Sequence, residues 1–152
     1  MVMQKKSYLN SPRFKRACVS GASGFIGTKL VEKLISQGFS VRALTRNSNS
    51  IFPEGVEIFC ADLASPTCNL KSFFSGCDIF FHCAGDINNA LHMHALHVDG
   101  IQRLLKAFSD EIDSTGYSMH WVQLSSVGVY GKLMDNPAAV RKITELSKNH
   151  PY

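Results

Sequence analysis

Three glycines at a spacing of three are the residues whose type and position point most directly to chemistry. They follow the short apolar run 17–19 and precede an amphipathic stretch. A strand that feeds a glycine-rich turn and then a helix lets backbone N–H groups reach phosphate oxygens, and the helix N-terminus adds partial positive charge. The turn predicts a nucleotide-binding site, with an ordinary strand-to-helix turn as the alternative. Its candidate cofactor-binding residues are Gly21, Ser23, Gly24, Phe25, Ile26 and Gly27.

The end of the second predicted strand indicates which nucleotide is bound. About 20 residues past such glycines, NAD-binding sites place an acidic side chain that hydrogen-bonds the ribose 2′-OH. Here Thr45 and Arg46 stand at that point. A carboxylate would repel a 2′-phosphate, whereas an arginine pairs with one. We therefore expect NADP in preference to NAD. The alternative is that Arg46 is an ordinary solvated loop residue.

Two further strand ends carry candidate cofactor-binding residues. Asp62, with Leu63 beside it, ends the third predicted strand and can accept a hydrogen bond from the adenine amino group. An N-cap role for the following turn is the alternative. Cys83, Ala84 and Gly85 end the fourth strand, where small residues let the backbone lie against a cofactor.

Polar side chains after the fifth predicted strand can contribute to a reaction. A serine of the pair Ser125-Ser126 can donate a hydrogen bond to a substrate carbonyl and help polarise it, with a structural role at the strand end as the alternative. The helix before this strand carries His92, His94 and His97. Residues two and five apart do not share one face of an α-helix, so we expect no metal site there.

The elements that position these residues alternate between short β-rich runs and longer helical ones. Strands are predicted at Arg16–Ser20, Ser40–Thr45, Val56–Ala61, Asp78–Cys83 and His120–Leu124. Helices are predicted at Phe25–Gln37, Asn69–Ser75 and Asn89–Ile112. The pattern predicts an α/β, Rossmann-type, doubly wound parallel sheet of about five strands in the order 3-2-1-4-5, covered by helices on both faces.

Composition bounds the class of protein. The chain has 152 residues, 45% of them hydrophobic, and no apolar run approaches the roughly 18 residues that span a bilayer. A basic, flexible leader (1–15) precedes a single domain (16–152), and the net charge of +4 is too mild to indicate a nucleic-acid partner. The five cysteines form no CxxC pair. Three of them (Cys18, Cys60 and Cys83) lie in strand-like runs as small hydrophobic residues. We expect a reducing, cytoplasmic location.

Taken together, the motifs resemble those of the extended short-chain dehydrogenase/reductases. The glycine turn, Asp62-Leu63, the segment 82–85 and Ser125-Ser126-x-x-x-Tyr130-Gly131 come in that family's order and spacing. The resemblance runs from about Arg16 to the last residue. The run 41–46 is most similar to the dihydroflavonol-reductase and 3β-hydroxysteroid-dehydrogenase-like branch.

The resemblance implies catalytic roles for two residues. Ser126 matches the family's catalytic serine. Tyr152 matches the tyrosine that acts as general acid and base, with its pKa lowered by a lysine four residues further on. That lysine is not in this sequence, so we expect the chain to be the N-terminal part of a longer enzyme, with the sheet truncated before a sixth strand. His97 stands where the family has an asparagine, which puts the family's proton relay in doubt.

The reaction that the resemblance implies is hydride transfer between NADP(H) and a carbonyl or alcohol in a small-molecule substrate. A nucleotide-sugar epimerase or dehydratase that uses bound NAD is one alternative. A non-catalytic dinucleotide-binding sensor or scaffold is another. A homodimer is the expected assembly of the intact protein.

Overall fold

A five-stranded, all-parallel sheet forms the centre of the structure, a computed structural model that describes residues 16–86 and 89–125. Its strands are β1 (Arg16–Ser20), β2 (Ser40–Thr45), β3 (Glu57–Cys60), β4 (Ile79–His82) and β5 (His120–Gln123). They lie in the order β3-β2-β1-β4-β5. The predicted doubly wound architecture is therefore confirmed, and each predicted strand end lies within one residue of the observed one.

The register of the sheet brings the functional strand ends to one edge. Ser20, the last residue of β1, lies opposite Leu44 of β2 and His82 of β4. In the same way Thr45, the last residue of β2, lies opposite Cys60 of β3. Since the strands are parallel, the segments that follow β1, β2, β3 and β4 all leave from this edge and can line one site.

Helices cover both faces of the sheet, as predicted. On one face, α1 (Phe25–Ser36) buries Val31 and Leu34 against the strand residues Ala17, Val19, Val41 and Ala43. On the other face, α3 (Ile101–Thr115) buries Leu104 in a cluster with Phe73, Phe74 and Phe80. Alternate residues of a β-strand face opposite sides of the sheet. In β1, Cys18 therefore packs in the second cluster, and its neighbours Ala17 and Val19 pack in the first.

The edge strand β3 departs from the expected apolar pattern. Glu57, Ile58 and Cys60 are exposed in it. The interpretation of Cys60 as a small hydrophobic core residue is therefore wrong, whereas Cys18 is fully buried. An edge strand packs on fewer neighbours than a central one, so its side chains retain contact with water.

The predicted helix over Asn89–Ile112 is divided into three parts. An α-helical segment α2 (Ala90–His94) leads into a π-helical turn (Ala95–Gly100), and α3 continues to Thr115. Gly116, with φ +66°, then ends the helix in the left-handed conformation. Within the described ranges, no helix is long and apolar enough to cross a membrane.

The short helix predicted over Asn69–Ser75 is wrong. Residues 71–76 form turns. The buried Arg42 side chain of β2 reaches into these turns, and its Nη1 donates to the carbonyl oxygens of Ser72, Phe73 and Ser75 at 2.8, 2.8 and 3.1 Å. These carbonyls bind a guanidinium from the sheet instead of helical N–H groups. The Nε of Arg42 lies 2.9 Å from a carboxylate oxygen of Glu57.

Candidate cofactor-binding site

The glycine turn between β1 and α1 is too tightly packed for side chains at two of its positions. Gly21 has φ +64°, and a Cβ there would lie 2.5 Å from the backbone nitrogen of Ala84. A Cβ on Gly27 would overlap the carbonyl oxygen of Gly21. Gly24 is the N-cap of α1 with no side-chain cap, and its N–H donates to the Gly21 carbonyl at 3.0 Å. The turn therefore presents backbone to an open cavity, as phosphate binding requires.

A cavity of about 280 Å³ lies over this turn at the carboxyl edge of the sheet. Ten of the predicted cofactor-binding residues line it: Gly21, Ser23, Gly24, Thr45, Arg46, Asp62, Leu63, Cys83, Ala84 and Gly85. Five residues that the sequence analysis did not assign to the site also line it: Leu44, Ala61, Asp86, His92 and Leu96. The structure thus brings together residues from four strand ends and one helix.

Three predicted residues of the turn are not part of the cavity lining. Phe25 and Ile26, at the start of α1, have exposed side chains (92% and 48%). Gly27 is buried beneath the turn. Its role in the structure is the close packing of helix on turn, which is the part that a third glycine plays in such motifs.

Hydroxyl groups organise the cavity wall at the end of β2. The Oγ1 of Thr45 lies 3.1 Å from both the Ser23 and the Ser50 hydroxyl oxygens, and it accepts the Asn47 N–H at 3.2 Å. Thr45 thereby ties the glycine turn to the loop that follows β2. Arg46, the next residue, is exposed and lines the cavity, so its guanidinium is available to a ligand there.

The end of β3 supplies a carboxylate. Asp62 is exposed, lines the cavity, and accepts the Ala64 N–H through Oδ1 at 3.0 Å. This contact stabilises the turn that follows β3, in agreement with the alternative local role. One carboxylate oxygen can serve this turn while the other faces a ligand, so both roles are compatible with the geometry.

The opposite wall is built around Asp86, and sequence reasoning missed it. The Nδ1 of His92 lies 2.7 Å from a carboxylate oxygen of Asp86. The Nε2 of His97 lies 3.1 Å from the Asp86 backbone nitrogen and 3.0 Å from its carbonyl oxygen. Both imidazoles therefore hold the same residue.

A π-helical turn carries His97, the second of those two histidines. In a regular α-helix, residues five apart point in different directions. The turn over Ala95–Gly100 has more residues per turn than an α-helix. The two imidazoles contact different parts of Asp86, the carboxylate and the backbone. His94 points elsewhere, 3.8 Å from Asp99 and 70% exposed.

A buried histidine lies beneath this wall. His82 ends β4, is 1% exposed, and its Nδ1 shares a 2.6 Å hydrogen bond with the Ser20 hydroxyl of β1. Its Nε2 is buried without a hydrogen-bond partner. Burial, followed by the nearby His97, lowers the pKa of His82 to about 4, so the ring is neutral at pH 7. The Ser20–His82 pair joins two central strands directly below the glycine turn.

The two candidate catalytic residues, Ser126 and Tyr152, lie outside the described residues. The described chain reaches Ser125, two residues past the end of β5. Their roles stay predictions.

Comparison with known proteins defines the class to which this fold and cavity belong. The family model for the NAD dependent epimerase/dehydratase family matches residues 17–152. The chain therefore belongs to this family, whose Rossmann-like fold binds a nicotinamide dinucleotide. The glycine turn, with no room for a Cβ at Gly21 or Gly27, fits such a cofactor.

Individual relatives agree with this assignment. The chain is 29% identical over 110 residues to cinnamoyl-CoA reductase 1 of Oryza sativa. This match covers 66% of this chain and 32% of that protein. It is 27% identical over 138 residues to an uncharacterized protein of Mycobacterium tuberculosis. That match covers 80% of this chain and 16% of the mycobacterial protein. The chain thus spans a third or less of the length of these relatives.

A solved structure shows the same fold. A short-chain dehydrogenase/reductase superfamily protein from Agrobacterium tumefaciens with bound NAD is 25% identical, with a TM-score of 0.69. The match covers 90% of this chain and 40% of that one.

Proposed function

We propose that this chain is the cofactor-binding part of an NADP(H)-dependent oxidoreductase that transfers hydride between the nicotinamide and a carbonyl or alcohol substrate. The observation that carries the NADP preference is Arg46, which directly follows β2 and lines the cavity beside the glycine turn. Thr45 stands at the strand end where a carboxylate would select NAD.

The wall around Arg46 suits a phosphate better than a ribose diol. A 2′-phosphate dianion accepts hydrogen bonds only, and the guanidinium of Arg46 is a charged group that only donates them. The Thr45 hydroxyl, within 3.2 Å of three partners, fixes the strand end from which Arg46 extends. Asp62 lies one strand further out, where a carboxylate suits the adenine amino group.

The chemistry proposed for the intact enzyme uses Ser126 and Tyr152, whose roles follow from the family resemblance. Bound NADP(H) supplies or accepts the hydride. Tyr152 gives a proton to, or takes one from, the substrate oxygen, and the Ser126 hydroxyl orients that oxygen. An unperturbed tyrosine has a pKa of about 10, so this step needs a neighbouring cation.

A second candidate is an epimerase or dehydratase that uses NAD. The family's own description and the NAD in the Agrobacterium structure support it. The substrate of either enzyme is a small molecule. A homodimer and a reducing, cytoplasmic location belong to the proposal as well, the latter supported by five free cysteines.

The substitution Arg46→Ala tests the NADP preference. We expect the affinity for NADP⁺ to fall roughly tenfold to a hundredfold, because a charge-assisted hydrogen bond is lost, while the affinity for NAD⁺ changes less than about twofold. Calorimetric titration of both dinucleotides measures this. The matched control is Lys29→Ala, which removes a cation of α1 that is 74% exposed and outside the cavity. Equal effects of Arg46→Ala on both dinucleotides would contradict the preference.

A further inference from the structure

We propose that His92, held by Asp86, is the second anion-binding side chain of the cavity, and that the pyrophosphate of a dinucleotide draws a proton onto it on binding. The inference rests on the proposed dinucleotide binding and assigns an additional residue to that site. It follows from three features of the described residues: the contacts of His92, the charges of the cavity lining, and the order of the strands.

The contacts of His92 fix how its ring meets a ligand. Nδ1 is committed to the Asp86 carboxylate at 2.7 Å. An ionised carboxylate only accepts hydrogen bonds, so Nδ1 carries the hydrogen. The ring lines the cavity, and Nε2 is the nitrogen left for a ligand. Asp86 is itself held through its backbone by His97, which makes the carboxylate a fixed support.

The charges of the lining favour a second cation for an anionic ligand. Among the described lining residues, Arg46 is the only permanently positive side chain, whereas Asp62 and Asp86 are carboxylates. With a neutral His92 the lining carries one net negative charge. A protonated His92 cancels the Asp86 charge and gives Nε2–H as a donor. A pyrophosphate on the glycine turn favours that state, because opposite charges nearby favour the charged form of an imidazole.

The strand order places the two cations on opposite sides of the phosphate site. Arg46 follows β2, the glycine turn follows β1, and Asp86 follows β4, in the spatial order β2-β1-β4. The side beyond β2 takes the adenosine and its 2′ position. Gly21 of the turn packs directly on Ala84, in the segment that leads to Asp86, so His92 on the β4 side is assigned to the pyrophosphate and not to the 2′-phosphate.

Other charged and titratable side chains of the described residues lie around His92. Asp86 and Asp62 face the cavity as carboxylates, and Arg46 faces it from β2. His97, on the π-helical turn, is engaged with the Asp86 backbone. His94 and Asp99 of the same helical region lie 3.8 Å from one another. The proton taken up comes from solvent and is returned on release.

Calorimetric titration of this chain with NAD⁺ tests the inference, because NAD⁺ lacks a 2′-phosphate that would itself titrate. Measurements are made at about pH 6 and about pH 8.5, on either side of the range in which histidine titrates, in buffers of different ionisation enthalpy. We expect wild type to bind roughly tenfold or more tightly at the lower pH and to take up a proton on binding. His92→Gln should bind equally weakly at both pH values, with no proton uptake.

Two further variants complete the design. His92→Arg carries a permanent charge and should bind tightly at both pH values. His94→Gln removes an exposed imidazole of the same helix and should behave as wild type. Thermal melts of each variant confirm that it is folded. The inference is overturned if His92→Gln keeps the pH dependence, or if it weakens NADP⁺ binding but not NAD⁺ binding. If wild type binds neither dinucleotide, the proposed function is contradicted as well. If it binds both without the expected pH dependence, only the inference about His92 is contradicted.

Discussion

The two walls of the cavity, on either side of the glycine turn, are built in different ways. The wall at the ends of β2 and β3 consists of residues that lie at a strand end or within two residues of it, such as Thr45, Arg46 and Asp62. The wall beyond β4 depends on Asp86 and on two histidines six and eleven residues further along the chain. The first wall is local in sequence, and the second includes a helical turn of unusual width.

This difference separates what is general from what is particular in the site. Strand ends and the glycine turn form the part that a nicotinamide dinucleotide needs in any protein of this architecture. The Asp86–His92–His97 cluster lies outside that part, and in it one carboxylate and its backbone are held by two imidazoles. We therefore expect changes in the turn to abolish binding and changes in the second wall to tune it.

The substitution with the largest expected effect lies in the glycine turn, which both walls of the cavity adjoin. A Cβ on Gly27 would overlap the Gly21 carbonyl oxygen, a backbone atom that can move only if α1 separates from the turn. Gly27→Ala should therefore lower the free energy of unfolding by about 3 kcal/mol or more and abolish dinucleotide binding, as measured by urea unfolding and titration.

Gly38→Ala is the matched control for that substitution. Gly38 has φ +83°, and a Cβ there would meet nothing within 4 Å. Backbone strain alone should cost about 1 kcal/mol, with dinucleotide affinity unchanged. If the two variants lose similar stability, the packing of the glycine turn is not the cause.

His82, at the end of β4, should change the free energy of unfolding by a similar amount as the pH is lowered. Its folded-state pKa of about 4 lies below the unfolded value near 6.5. The neutral ring therefore favours the folded state above about pH 6.5, and that stability is lost as the pH falls toward 4. The loss amounts to about 3 kcal/mol in the free energy of unfolding.

Urea unfolding of wild type at a series of pH values measures that loss, and His82→Gln should flatten the profile between about pH 6.5 and 4. The exposed His94→Gln variant should follow the wild-type profile. A wild-type profile that is already flat in this range would show that His82 titrates normally in the folded protein.

The first wall of the cavity could be predicted from the sequence, whereas the second wall could not. Local signals predict the sheet order, α1 and ten of the cavity residues. These signals are the periodicity of apolar residues, the spacing of the glycines and the positions of the strand ends. The turns at 71–76 could not be predicted, because they are held by Arg42 from β2, thirty residues away in sequence. The second wall could not be predicted, because nothing in the segment 95–100 signals a π-helical turn before the fold is known. Ser126 and Tyr152 stay predictions of the family resemblance.

The most direct test of the central claim is a titration of this chain with NADPH and with NADH. Trp121, the single tryptophan, lies on β5 of the same sheet, and energy transfer from it to a bound reduced nicotinamide reports binding. We predict saturable binding of both cofactors, with NADPH bound roughly tenfold or more tightly because of Arg46. Binding of NADH in preference to NADPH would contradict the assigned cofactor, and the absence of binding by both would contradict the site itself.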